Sequence, residues 1–121
     1  MKKATEAAMS SGVVVHLDEA EPTKHATVLR NVSNLLDALD PGTQIELVVH
    51  GPAIGILLPG GPHSEIVRAL QNRGLAVVAC QNTLRSEHIS PEQLIPDAAI
   101  VPSGVAHLVL RQREGWAYLR P

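Results

Sequence analysis

The sequence predicts an α/β domain: a doubly wound, three-layer α/β/α sandwich on a mostly parallel sheet of four to five strands. Three observations lead there. Short runs of β-branched and aliphatic residues recur along the chain, each long enough for a buried strand and too short for a helix. Between them lie segments with apolar residues at three- and four-residue spacing, the period of an amphipathic helix. Gly, Pro, Asp or Asn punctuates the junctions. Repeated strand–helix alternation makes successive strands parallel, with helices covering the sheet on both faces.

Residues 1–11 are small or polar without periodicity and read as a flexible leader; residues 12–121 read as one domain. Gly12 to Leu17 is a continuous run rich in β-branched residues, which suggests a strand buried on both faces. Pro22 suits the first turn of a helix, where its missing N–H costs nothing. Val28, Leu29, Val32, Leu35, Leu36 and Leu39 form that helix's apolar stripe, and Asp40-Pro41-Gly42 stops it. Ile45 to His50 is the second strand. The segment Gly51 to Gly61 is apolar but interrupted by Gly and Pro, so no long helix is expected there. Pro62 opens a helix that turns Ile66, Val67 and Leu70 inward, and Gly74 ends it. Leu75 to Cys80 is the third strand. Asn82 is the expected N-cap of a short helix to about Glu87, and Ser90-Pro91-Glu92-Gln93 has capping-box form. Ala98 to Val101 is the fourth strand. Ser103 caps a last helix with Val105, Leu108 and Val109 on its apolar face. The expected strand order is 2-1-3-4, with the reversal between strands one and three.

At 121 residues the chain holds a single core, one large enough to be stable without disulfides or metal. Apolar residues make up 45% of it, with one Trp, one Tyr and no Phe, so there is no stacking platform for single-stranded nucleic acid. A formal net charge of −2 gives no general attraction to nucleic acid or to an anionic membrane. The longest apolar stretch, Ala53 to Leu58, is too short to span a bilayer. The lone cysteine excludes an internal disulfide and fits a reducing compartment, so a soluble, cytoplasmic protein is expected.

An open doubly wound sheet binds ligands beyond the carboxyl ends of its strands. Those ends carry His16, His50 and Cys80. Cys80 closes a buried strand just before a helix start, a placement that favours the thiolate. A nearby histidine can take the thiol proton or stabilise the anion; the alternative is a histidine that only hydrogen-bonds a loop carbonyl. Gly51, Asn82, Thr83 and Ser103 are the other expected site-lining residues. Two His and one Cys are zinc-type donors, but no pair stands at ligand spacing such as CxxC or HxxxH, so no metal is expected. The glycine-rich loops match no phosphate-binding pattern, so no nucleotide or other cofactor is expected. Ile54, Ile56, Leu57 and Leu58 need cover; the loop is expected both to fold over the thiol and to meet another subunit. Asp18, Glu19 and Glu21 read as loop-solvating residues, with contact to a ligand on the rim as the lesser alternative, and Trp116 and Tyr118 as packing or interface anchors.

Val13-Val14-Val15-His16-Leu17, Val48-Val49-His50-Gly51-Pro52, Val78-Ala79-Cys80-Gln81-Asn82-Thr83 and the stretch from Pro102-Ser103-Gly104 to Gly115-Trp116-Ala117-Tyr118 together resemble the DsrE/DsrF-like family, in its short single-domain branch. The resemblance covers about residues 12–121. It implies a DsrEFH-like fold, homo-oligomers (trimers or hexamers) and a link to intracellular sulfur metabolism. In the sulfur-relay members a cysteine carries a persulfide to a partner protein, and Cys80 is the matching candidate. The expectation is thus a sulfur carrier that exchanges sulfur with donor and acceptor proteins, rather than a turnover enzyme. The alternatives are an oligomeric binding or scaffold subunit with an inert cysteine, and a thiol redox sensor.

Overall fold

The computed structural model describes residues 12–121; the leader expected at residues 1–11 lies outside the described residues. The elements are β1 (Val13–Leu17), α1 (Pro22–Ala38), β2 (Ile45–Val49), a 3-10 helix (Gly51–Leu57), α2 (Ser64–Asn72), β3 (Leu75–Cys80), α3 (Gln81–Ser86), a 3-10 turn (Pro91–Gln93), β4 (Ala99–Val101), α4 (Gly104–Arg113) and β5 (Ala117–Leu119). The expected α/β architecture is present, and the C-terminal stretch supplies a fifth strand. Every pairing is parallel, and the sheet order is β4-β3-β2-β1-β5.

This order corrects the expected 2-1-3-4, and crossover handedness explains it. Right-handed crossovers on one face all step the chain in the same direction. Residues of α1, α2, α3 and the segment after it share one cluster with the sheet: Val28, Leu29, Val32, Val67, Leu70, Leu84, Leu94 and Ile95. The first three crossovers therefore run over one face and carry the chain from β1 to β4. Among the described residues only α4 lies on the other face, and it returns the chain to the far side of β1 as β5. The reversal falls after β4, not between β1 and β3.

Strand residues divide between the two faces at every second position. Val13, Val15, Leu17, Ile45, Leu47, Val49, Leu75, Val77 and Ala79 meet the large core. Val14, Val48 and Val78 meet a smaller cluster with Leu108 of α4 and Trp116. In α1, Val28, Leu29 and Val32 are buried, each stabilising by about 1.5–3 kcal/mol relative to exposure; Leu39, past the helix end, is 37% exposed. Gly12 admits Trp116 closely: a Cβ there would sit 2.5 Å from the indole and 2.3 Å from the Gln44 carbonyl oxygen.

Four local expectations change. Ala53, Ile54, Ile56 and Leu57 are buried in the large core, so the Gly/Pro segment folds as a 3-10 helix over the face opposite α4 and does not roof the thiol. Cys80, not Asn82, occupies the N-cap of α3. Ile66 is exposed, because the α2 stripe is carried by Val67 and Leu70 alone. Val105 and Val109 face outward, 54% and 47% exposed, and Leu108 anchors α4. The capping box at Ser90 and Gln93 and the Ser103 cap, whose hydroxyl oxygen accepts from the Ala106 N–H at 3.2 Å, form as expected.

Candidate functional site

The same alternation decides where the chemistry sits. Positions 14, 46, 48 and 78 point to the α4 face, and so, by parity, do His16 and Cys80. The register sets His16 beside Val48 and Val48 beside Val78, so His50 and Cys80 are level with one another and two residues beyond His16. Because β2 lies between β1 and β3, His50 stands between His16 and Cys80. The order 2-1-3 would have placed His16 there.

Cys80 is 5% exposed. Burial disfavours its thiolate, but four polar hydrogens outweigh burial and hold the thiol below its ordinary pKa: the N–H groups of Gly104, Thr83 and Asn82 and the Thr83 hydroxyl. They come from the first turns of two helices, α4 and α3. The Thr83 oxygen also accepts the Gly51 N–H at 2.8 Å, which fixes its rotamer and leaves its own hydrogen for the sulfur. Gly51 reaches that position with φ 59°, a conformation suited to glycine.

Gly104 is the contact plane between thiol and imidazole. A Cβ on it would lie 3.2 Å from the Cβ of His50 and 3.3 Å from the Cβ of Cys80. Both side chains therefore pack against one bare backbone position. Beside them, a groove of about 380 Å³ is lined by Gln81, Asn82, Arg85, Ile100, Val101, Pro102 and Ser103.

The histidines form a chain of contacts. His16 Nε2 lies 2.7 Å from His50 Nε2, and His16 Nδ1 lies 2.6 Å from the Tyr118 hydroxyl. The two imidazoles stack with centroids 4.9 Å apart. Burial, then the neighbouring His50, hold His16 below the usual histidine pKa, against the opposing pull of Asp18. The Asp18 Oδ2 is 3.9 Å from His16 Nε2, while Arg120 donates to its Oδ1 at 3.0 Å.

The structure thus gathers His16, His50, Cys80, Gly51, Asn82 and Thr83 at one edge. Ser103 adjoins them, with its hydroxyl oxygen engaged in capping α4. Sequence reasoning missed Gly104 and Tyr118, and it gave Asp18 only a lesser place on the rim. The first two gave no usable signal, since Gly104 reaches the rim only through the pairing of β4 with β3, and Tyr118 only through the return crossover to β5. The third had one: His16-x-Asp18 at a strand end brings an imidazole and a carboxylate to the same rim.

Fold and rim define the class: a doubly wound parallel α/β domain with one thiol at a strand-to-helix junction. The chain belongs to the DsrE/DsrF-like family, which matches residues 12–121. Among solved structures it is similar to the protein of unknown function MTH1491 from Methanobacterium thermoautotrophicum, with 36% identity, a TM-score of 0.87, and coverage of 92% of this chain and 99% of that one. It also shares its fold with the YchN protein of E. coli, at 15% identity, a TM-score of 0.76 and the same coverages. Among curated proteins no match of comparable strength was found. No helix among the described residues is long and apolar enough to cross a membrane.

Proposed function

We propose that the protein is a sulfur carrier of intracellular sulfur metabolism, holding a persulfide on Cys80 and passing it to a partner. One observation carries this reading: Cys80 caps the start of α3 and packs against Gly104 at the start of α4, where neighbouring N–H groups and the Thr83 hydroxyl lower the pKa of a thiol that burial alone would keep protonated. The Cys80 thiolate attacks the outer sulfur of a donor persulfide. A sulfur–sulfur bond forms at Cys80, the donor's sulfur–sulfur bond breaks, and the donor leaves as a thiolate that takes up a proton. An acceptor thiolate then attacks the outer sulfur on Cys80, and Cys80 leaves as the thiolate. No net oxidation occurs. His50, packed against the same glycine as Cys80, supplies and recovers the proton.

The test is mass spectrometry of the full chain after incubation with a small persulfide donor. The wild type gains one sulfur, removable by a thiol acceptor, and Cys80→Ser gains none. A wild type that takes up no sulfur, or that alkylates no faster than a free thiol at neutral pH, sinks the proposal.

The 5% exposure of Cys80 favours a second reading, in which the sulfur packs as a small apolar residue of a non-catalytic subunit. That reading predicts slow alkylation in the native protein and rapid alkylation once unfolded.

We also propose that the chain works as a homo-oligomer, a trimer or hexamer, in the cytoplasm. Support comes from the α4 face, where Val105, Val109 and Leu110 stand 54%, 47% and 52% exposed beside the edge strand β5.

A further inference from the structure

We propose that His16, His50 and Asp18 form a binding site for a first-row divalent cation of the zinc type, at the rim beside Cys80 and independent of the sulfur. This departs from the metal-free site expected from the sequence, and it takes up the lesser of the two readings of Asp18, contact with a ligand on the rim.

One ligand atom from each residue falls in a single cluster, all within 4.8 Å of one another. The pairwise distances bracket what a cation needs. Two nitrogens bound tetrahedrally at about 2.0–2.1 Å stand about 3.3 Å apart. His16 and His50 present their Nε2 atoms 2.7 Å apart, and the Asp18 Oδ2 is 3.9 Å from His16 Nε2. Parting the rings by several tenths of an ångström and drawing the carboxylate in by a similar amount makes room for the ion. His50 and Asp18 are only partly buried and can make that adjustment.

The supporting groups suit a ligand set. His16 is 8% exposed and its Nδ1 is satisfied by Tyr118, which leaves Nε2 as the atom facing the cluster. A ligand histidine typically has its other ring nitrogen tied in this way. Arg120 holds Asp18 through Oδ1 and leaves Oδ2 turned toward His16. The same arginine places a positive charge near the ion, so micromolar binding is expected rather than the tight binding of a structural site. Three protein ligands leave a fourth position open, the arrangement that accepts a water or an incoming anionic sulfur. Imidazole and carboxylate donors select against copper(I) and favour zinc, cobalt, nickel or iron(II).

The test is titration of the untagged full chain with Co²⁺, read by visible absorption and competed with Zn²⁺. The wild type and Cys80→Ser should each bind one equivalent, with nitrogen–oxygen ligand-field bands and no thiolate-to-cobalt charge-transfer band. Asp18→Asn and His50→Gln, both at partly exposed positions, should weaken binding at least tenfold while circular dichroism and melting stay unchanged. Tyr118→Phe should weaken it by about 10–100-fold through loss of ring orientation. The proposal is overturned by no stoichiometric uptake, by equal affinity in Asp18→Asn and His50→Gln, or by a charge-transfer band that disappears in Cys80→Ser. The unchanged result expected for Cys80→Ser keeps this test separate from that of the sulfur carrier.

Discussion

Gly104, at the start of α4, packs against Cys80 at the end of β3: a Cβ on it would lie 3.3 Å from the cysteine Cβ, and its N–H lowers the thiol's pKa. The two residues lie 24 positions apart in the chain, and the pairing of β4 with β3, which sets Val101 beside Cys80, brings them together. Gly104→Ala therefore tests the thiol directly. The added Cβ would press on both His50 and Cys80 at 3.2–3.3 Å, so the backbone at the start of α4 must shift. Losing one charge-assisted hydrogen bond removes about 1.5 kcal/mol of thiolate stabilisation, so native alkylation at neutral pH should slow about tenfold. Iodoacetamide kinetics measure it, and an unchanged rate would show that this N–H does not activate the sulfur.

The lowered Cys80 pKa also couples to stability. Burial raises it, and the hydrogen bonds from Gly104, Thr83 and Asn82 lower it by more. A group with a depressed native pKa stabilises the fold above its unfolded value, and loses that contribution as pH falls through the native one. The stability of wild type relative to Cys80→Ala should therefore rise with pH below the ordinary thiol value of 9.0 and level off above it. Urea unfolding across that range, with reductant present, gives the difference; a flat difference contradicts the thiolate.

Glu46 anchors α4. It is 8% exposed on the α4 face of β2, accepts from Arg111 at 2.8 and 3.1 Å, and accepts from His107 at 2.7 Å. Burial would raise its pKa, but the Arg111 and His107 bonds hold it below the usual carboxylate range. Arg111 in turn covers Trp116 at 4.3 Å. Glu46→Gln should cost about 1–3 kcal/mol, because it removes the buried carboxylate that both Arg111 and His107 bond and leaves Arg111 paired only with the exposed Glu114. The contribution is present above the ordinary glutamate pKa and is lost as pH falls through the depressed one. The wild type should thus lose stability in acid more steeply than Glu46→Gln does, as thermal melts at pH 3 and pH 7 will show.

Val109→Asp addresses the assembly. The side chain is 47% exposed, so an aspartate there should leave the folded monomer within about 0.5 kcal/mol of wild-type stability. In an oligomer built on the α4 face it would place a buried charge. Light scattering after gel filtration should show a smaller species for the variant than for wild type at equal melting temperature. If both elute as one species of equal mass, the α4 face is not the interface.

Much of the fold could be read in advance. Continuous Val, Leu and Ile runs mark strands buried on both faces, and Pro22, Gly74 and Ser103 mark helix ends for reasons that hold locally. Strand order was not legible, because it depends on which face each helix takes, and the fully apolar strands hide that choice. Within those strands the polar exceptions were the clue. His16, Glu46 and Cys80 sit at positions of the parity that faces α4. The site was legible where it lies on strand ends, at His16, His50 and Cys80. It was not legible at Gly104 and Tyr118, which come from the last 18 residues and join the rim only in the folded chain. The apolar faces assigned to Ile66, Val105 and Val109 failed for another reason: a helical stripe can be wider than the surface it meets.

The two-residue repeat of the strands makes the site intolerant of length changes. Removing one residue between Leu75 and Ala79 would turn the thiol toward the large core, among Leu84 and Ala53, and turn a core side chain out to α4. Composition and hydrophobicity would hardly change, yet His50 and Cys80 would end on opposite sides of the sheet. In this fold, insertions and deletions should therefore be confined to the connections, while β1, β2 and β3 keep a fixed count of residues up to the rim.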